Sequence, residues 1–471
     1  MRSSKALVCA LMVSVSGCSL APDYHRPAVA APSHYMEVPT GWTTAAPAAD
    51  APPTAWWQSF GDPVLTDLEG RIEASNPSLA AAVARYDQAV GALREAKAQL
   101  YPQIDANGGA SRVRAPANRP LTVPGTVTGG NVTYNEYQVG ASLSWELDLF
   151  GRVRNTIRAN RAQAAASKAD LAGIRLGLQA SLATSYFQMR GLDARLELLL
   201  QTVVAYQRAY DLTVTRHDGG VGTGLDVSRA RTQLASARAE ISDVRAQRAA
   251  YEHAVAALVG EPASSFALAP DTHLGNAPAF PSGTPSTLLQ RRPDIDAAER
   301  RVFAANAQVG VARAALYPTI SLGGNAGQET TGPNLLSAAS SFWALGPASF
   351  ALNLFDGGAR HARVRIARAQ FDEAAADYKQ TVLTAFREVE DDLALGRDLV
   401  TETHDQHDAA SSAQKTLDLA LIRYRDGASD YLEVVTAQTA ALDAERALLD
   451  LQTRQLTTAV DSVRALGGVA G

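Results

Sequence analysis

Methionine and cysteine are nearly missing from this chain: its 471 residues include four Met and two Cys. Both cysteines, Cys9 and Cys18, fall in the first twenty positions, so no disulfide framework is available and stability rests on packing. Long apolar runs are missing as well. Downstream of Cys18 no uninterrupted stretch reaches the roughly 18 apolar residues that a membrane helix needs, so any bilayer crossing falls to strands. There is no basic excess, with 43 Lys+Arg against 48 Asp+Glu and a net charge of −5. No Lys/Arg stripe with interleaved aromatics occurs either, which argues against nucleic-acid binding. No G-x-S-x-G elbow, P-loop or H-E-x-x-H is found, and no paired carboxylates sit in a recognisable pocket segment. The expectation is a protein that is not an enzyme, with no cofactor and no metal site. Proline is absent from 151–218 and from 357–426, which leaves two very long segments free to be helical.

What is present begins with "MRSSKALVCALMVSVSGCSL": Arg2 and Lys5, an apolar run from Ala6 to Val15, then small residues before Cys18. This is a secretory signal layout, with residues 1–17 as the cleaved peptide. "VSGC" resembles a bacterial lipobox, which implies that Cys18 becomes the mature N-terminus and carries acyl chains as a membrane anchor. Ser19, where some lipoproteins have aspartate, favours export to the outer membrane by that resemblance.

The chain repeats itself. "LYPQIDANGGAS" at 100–111 answers "LYPTISLGGNAG" at 316–327, and "DGGVGTGLDVSRARTQL" from Asp218 answers "DGASDYLEVVTAQTAAL" from Asp426. Within each copy the hydrophobic period changes in the same order. Tyr137, Val139, Ala141, Leu143, Trp145 and Leu147 alternate with Gln138, Ser142, Ser144 and Glu146, which describes a strand with one apolar and one polar face. In the second copy Phe342, Ala344, Ala348, Phe350, Leu352 and Leu354 are expected to share the apolar face. A helical period follows: Leu182, Met189, Leu196, Val203 and Tyr210 recur every seven residues, interleaved with Leu178, Leu192, Leu199 and Tyr206. The second long segment keeps a looser register, with Gly396, Thr403 and Ala410 between Val389 and Leu417.

The expected organisation has a lipidated N-terminal segment, 18–75, that joins an equatorial belt. A first repeat covers 76–260, with a strand pair at 101–150, a long helix at 151–218 and a return helix at 225–260. A connector spans 261–292, and a second repeat spans 293–471, with a strand pair at 317–356, a long helix at 357–426 and a return helix at 430–467. The long helices would measure roughly 100 Å at about 1.5 Å per residue, and each pair of shorter helices laid end to end would nearly match one. Four strands leave two open edges, which hydrocarbon does not tolerate, so closure requires other copies. Two copies give eight strands, a barrel filled by its own side chains; three give twelve strands and a lumen.

"LLQRRPDIDAAERRVFAANAQVGVARAALYPTISLGG" at 288–324 resembles the signature of the TolC-type outer membrane factors, in particular the lipoprotein subgroup of tripartite, RND-type efflux systems. "PDYHRP" at 22–27, the "LFG" and "LFD" turns and "YRDGASDYLEVVTAQ" extend the likeness over the chain. The resemblance implies a mixed α/β membrane protein. It would be a homotrimer whose twelve-stranded transmembrane β-barrel, four strands per protomer, continues into a periplasmic α-helical coiled-coil barrel. Its implied partners are a periplasmic adaptor, an inner-membrane efflux pump and outer-membrane lipid. Residues at the helix turns would then form a periplasmic gate: Asp226, Arg229, Asp430, Leu432, Glu433 and Thr436. Threefold symmetry turns each into a ring, and Arg229, Arg423 and Arg425 are close enough in sequence to pair with the carboxylates and hold neighbouring hairpins shut. Related channels carry a "YLxVLDAQ"-like run. Leu432 and Glu433 match it, whereas Thr436 stands where aspartate is common.

Alternative readings have their own signatures. His404 and His407 in "HDQH" lie three apart on a helix, a spacing that suits zinc, but no third fixed ligand accompanies them. A channel for metal-ion efflux or type I secretion shares the same architecture. A non-conducting coiled-coil surface protein accounts for the heptads and leaves the amphipathic strands without a purpose.

Overall fold

A computed structural model describes residues 19–30, 32, 34–37, 55–115, 132–278, 291–332, 335 and 340–468. In chain order the helices are α1 Pro63–Ser75, α2 Pro77–Ala98, α3 Arg152–Asp218, α4 Gly224–Leu258, α5 Pro293–Ala314, α6 Ala359–Arg425 and α7 Tyr431–Ala465. The strands are β1 Gln103–Ala115 and β2 Val132–Leu147 between α2 and α3, and β3 Thr319–Thr330 and β4 Ser341–Ala351 between α5 and α6. The duplication is visible in the lengths: α2 and α5 have 22 residues each, α3 and α6 67, and α4 and α7 35. The looser register of α6 leaves it unbroken.

Two compact units emerge, one from Met1–Pro27, Asp87–Ala166 and Glu299–Asp377, the other from Ala28–Tyr86, Ser167–Ala298 and Tyr378–Gly471. The first contains an antiparallel sheet in the order β1-β2-β3-β4, with β1 and β4 as free edges. Its register places Ile104 opposite Leu143, Leu143 opposite Gly324 and Trp145 opposite Leu322, so the apolar residues of three strands share one face. On the other face Ser111 bonds Glu136 at 3.3 Å and Ser321 bonds Ser349 at 2.9 Å.

The expected apolar face of β4 needs correction. The register shifts between Leu322 and Gly324: Leu322 pairs with Ala348 but Gly324 pairs with Leu345, so β4 holds one extra residue at Gly346-Pro347. A bulge of one residue inverts the alternation beyond it. Trp343 and Leu345, 80% and 87% exposed, therefore join Ala348 and Phe350 on the apolar face, whereas Phe342 and Ala344 move to the polar face.

The same unit seats the chain that follows Cys18. Ser19 donates to Asn155 Oδ1 at 3.0 Å, Asn306 donates to the Pro22 carbonyl at 2.9 Å, and Arg313 donates to the Leu20 carbonyl at 3.3 Å. Arg26 pairs with Glu299 at 3.1 Å, and Tyr24 meets Phe303 edge-on at 5.0 Å. The strap thus occupies one face of α5, at 299, 303, 306, 310 and 313, the i, i+3, i+4 spacing of a helix stripe.

In the second unit the heptad residues of α3 form the seam: Leu182, Met189, Leu192, Leu199 and Tyr206 are buried. The largest core joins Leu182, Tyr186 and Met189 of α3 to Val255 of α4 and to Leu456, Val460 and Val463 of α7. It also takes in Trp56, Leu65, Leu68 and Ile72 from the N-terminal connector and Phe266 from the second connector. Helix α1 had no place in the sequence expectation, which read 18–75 only as a lipidated segment and part of the belt. Its start was nevertheless written there: Asp62 accepts from the amides of Val64 and Leu65, and Pro63 fills the first helical position.

Candidate functional site

Each long helix turns back through five residues, 219–223 and 426–430, and the two turns are built alike. At the end of α3 the Gly220 amide donates to the His217 carbonyl and the Val221 amide to the Arg216 carbonyl, both at 2.9 Å; at the end of α6 Gly427 and Ala428 repeat these bonds to Tyr424 and Arg423. This closure requires a left-handed residue, and both Gly220 and Gly427 have φ 76°.

The return helices start on side-chain caps. Thr223 and Asp226 form a reciprocal capping box: the Asp226 amide donates to Thr223 Oγ1 at 3.2 Å, and Asp226 Oδ2 accepts from the Thr223 hydroxyl at 2.8 Å and from its amide at 3.3 Å. Asp226 Oδ1 faces Arg229 at 3.9 Å. Asp430 caps α7 by accepting from the Glu433 amide at 3.2 Å. Glu433 pairs with Arg423 at 3.6 Å, and Arg425 pairs with the adjacent Asp426 at 3.2 Å. Thr436 turns its hydroxyl back to the Leu432 carbonyl at 2.9 Å, while the Leu432 side chain is 47% exposed. Cys18 lies outside the described residues.

Within the protomer, then, Arg229, Arg423 and Arg425 each pair inside their own hairpin. At the turns themselves the link between hairpins comes from a residue outside the expected set. Arg216, at the end of α3, donates to the carbonyls of Tyr424 at 3.0 Å and Arg425 at 3.3 Å, and its guanidinium lies 4.7 Å from the centre of the Tyr424 ring. Those carbonyls belong to the last turn of α6, where the helix dipole is negative, so a cation there is stabilised twice. Tyr424 in turn meets Tyr431 edge-on at 5.2 Å over a core of Ala209, Ala230, Ala420, Val434 and Ala437. Burial raises the phenol pKa of both tyrosines, so the rings stay neutral. Further along, Tyr206 donates to the Gln438 carbonyl at 3.2 Å, Gln233 bonds Thr439 at 3.1 Å, and Glu240 of α4 joins Arg195 of α3 to Arg446 of α7. The only sequence signal for Arg216 was its place in the last turn of a helix, which many surface arginines share.

His404 and His407 are both exposed, and His407 faces Asp408 at 3.6 Å. Among the described residues no three His, Cys, Asp or Glu side chains group to hold a metal ion.

A four-stranded amphipathic sheet with open edges, set in a chain with two capped helical hairpins, defines the protomer of a membrane duct that closes by association. Comparison gives the particular family. The chain belongs to the outer membrane efflux protein family, which matches residues 69–261 and 284–468. It is 33% identical to the antibiotic efflux pump outer membrane protein ArpC of Pseudomonas putida, over 96% of this chain and 93% of that one. It is 30% identical to the cation efflux system protein CusC of Escherichia coli K12, over 99% and 100%. Among solved structures, the outer-membrane channel OprN superposes with a TM-score of 0.86 at 32% identity, covering 96% of this chain and 99% of that one. The protein is therefore an outer-membrane channel: a homotrimer with a β-barrel in the membrane and a periplasmic helical tube. It works with a periplasmic adaptor and an inner-membrane pump as the exit duct of a tripartite efflux system.

Proposed function

We propose that the duct is gated where the helices turn, and that Arg216 is the central tie of the closed state. The observation that carries this reading is the pair of Arg216 bonds to the last carbonyls of α6, which join the α3/α4 hairpin to the α6/α7 hairpin. Asp226 and Asp430 set the shape of each tip by capping, while Leu432, Glu433 and Thr436 stand on the first turns of α7, where threefold repetition makes rings. Arg229 steadies Asp226. Opening separates the hairpins, breaks the Arg216 contacts and leaves each capped turn intact.

The duct acts passively and without catalysis. Cys18 carries the lipid anchor, and the two connectors, 18–75 and 261–292, form a belt; in support, Trp56, Leu65 and Phe266 from these segments share one core. The cargo is of the antibiotic kind that the name of ArpC gives for that protein, and the chain offers little for a thioether relay. Of the described methionines Met189 is fully buried, and Met36 is the one exposed thioether.

Planar-bilayer recording of the reconstituted trimer tests the gate. Arg216→Ala removes two charged hydrogen bonds and is expected to shift the closed-to-open ratio about tenfold toward open, corresponding to about 1.4 kcal/mol. Glu433→Ala and Asp226→Ala are expected to raise conductance to a smaller extent. Wild-type conductance in all three variants would remove these turns from the gate. Cys18→Ser tests the anchor by mass spectrometry, with loss of the acyl mass expected.

A further inference from the structure

The sheet separates charge by face and by height. Described strand residues on the polar face include Asp105, Glu136, Glu146 and Glu329 and no Lys or Arg. The basic residues of the strands are Arg112 and Arg114, both in β1 and both exposed. Arg112 lies opposite Asn135 and Arg114 opposite Thr133, in the register that puts Ala110 opposite Tyr137 and Ile104 opposite Leu143. Alternation therefore places both arginines on the apolar, lipid-facing side.

Height follows from the same register. The β1 and β2 ends at Gln103 and Leu147 adjoin α2 and α3, so the ends at Ala115 and Val132 point out of the cell. From Leu147 to Tyr137 the apolar face of β2 runs ten residues, about 33 Å along the strand and about 25 Å in height at a tilt near 40°, the thickness of an outer-membrane apolar band. Arg112 is level with a residue two positions beyond Tyr137, and Arg114 with one four positions beyond. Both thus stand just above the aromatic edge of the band, at headgroup depth, with stems long enough to reach up from it.

Among the described residues no counter-charge is in reach on that face. Neither arginine has an ion-pair partner among the described residues, and Glu136 points to the opposite face, where it bonds Ser111. In sequence, no Asp or Glu occurs between Asp105 and Glu136, which adds only Arg119 to the segment. The next subunit offers none either: closing the barrel sets the free edge of β1 against β4 of another copy, and residues 330–351 contain no charged side chain.

We propose that Arg112 and Arg114 form a site for the phosphates of an outer-leaflet phosphorylated glycolipid, one per protomer and three per trimer. Their guanidiniums project from the same face about 7 Å apart at their Cα atoms, a spacing that spans a headgroup. A phosphate supplies the missing counter-charge and bidentate geometry, while the acyl chains lie against Ile104, Val139 and Tyr137. The inference rests on the assignment of the apolar face to lipid, and the test separates the two.

The full-length trimer and its Arg112→Gln/Arg114→Gln variant are reconstituted in phosphatidylcholine vesicles containing diphosphorylated lipid A or the same lipid enzymatically stripped of phosphate. Lipid A retained per trimer after extraction is counted by native mass spectrometry. The wild type is expected to retain the phosphorylated form about tenfold better than the variant, and Arg112→Lys/Arg114→Lys to recover part of the difference. Equal retention by wild type and the Gln variant, or indifference of the wild type to the phosphates, would overturn the site. Quenching of Trp343 by brominated phospholipid, identified by its loss in Trp343→Phe, reports separately on the face. Its absence would reject the lipid-facing assignment, and its presence without phosphate preference would reject this site alone.

Discussion

Glu69 is the residue most at odds with its surroundings. It sits on the α1 face that also buries Leu65, Leu68 and Ile72; it is fully buried, and neither carboxyl oxygen has a hydrogen-bond partner. Burial, followed by repulsion from Glu73, raises its pKa to about 9. The sign follows from proton counting. Between an unfolded value near 4.3 and the folded value, the native chain holds a proton that the unfolded chain has released, so stability falls as pH rises through that window. Asp392, raised to about 7 by burial and then by Asp461, adds a second decline that ends near neutrality. Glu69→Gln keeps the shape and removes the titration. It should leave thermal unfolding of the trimer unchanged below pH 4 and raise stability at pH 8 by on the order of 5 kcal/mol per protomer. An unaltered pH profile in the variant would mean that Glu69 finds a partner the isolated chain does not show. Sequence gave no warning of this residue, because an isolated Glu on an amphipathic helix normally lies on the wet side; only the full width of the buried face reveals it.

At the scale of elements, what was legible depended on how far each signal reached. The heptads of α3 and the alternation of β2 are local and long, and the structure keeps both: Leu182, Met189 and Leu199 are buried, and Tyr137 to Leu147 share a face. The β4 face was misread because one extra residue at Gly346-Pro347 inverts a period of two, and a bulge has no period of its own to detect. Arg216 was missed because its partners are carbonyls 208 and 209 positions away, and backbone acceptors leave no mark in a sequence. The strap illustrates the same limit. A Cβ on Gly310 would come within 2.6 Å of Asn155 and 2.7 Å of Ala21, so the segment after Cys18 fits only over a bare backbone. The aligned position of the first repeat, 216 residues earlier, is Arg94, a long side chain where the strap needs none. Gly310→Leu should unseat residues 19–27, raising protease cleavage there several-fold while the helical content of the trimer is retained; cleavage at the wild-type rate would show that the strap can shift to accommodate the side chain.

For the whole molecule the two units differ in what a single chain can satisfy. The helical seams close within one protomer: Leu192, Leu199, Ile241 and Val244 pack against one another, as do Tyr424, Tyr431 and Val434. The sheet does not close, since β1 and β4 each leave a row of backbone donors and acceptors open. In water such an edge is tolerable, but in hydrocarbon each unmet group costs several kcal/mol, which makes a four-stranded insert in lipid untenable. Association therefore has a lopsided effect. Separating the trimer should release the strands and spare the helices, a pattern that amide hydrogen exchange resolves segment by segment. In the intact trimer the amides of β1 to β4 and those of 178–206 should all be protected. In monomers prepared by dilution in detergent the strand amides should exchange at least a hundredfold faster, while 178–206 changes little, because the opening free energy of the sheet comes from its neighbours and that of the seam from its own chain. Strand protection that survives dissociation would mean that the sheet finds its stability inside one protomer, and the lumen would then require a different explanation than closure by three copies.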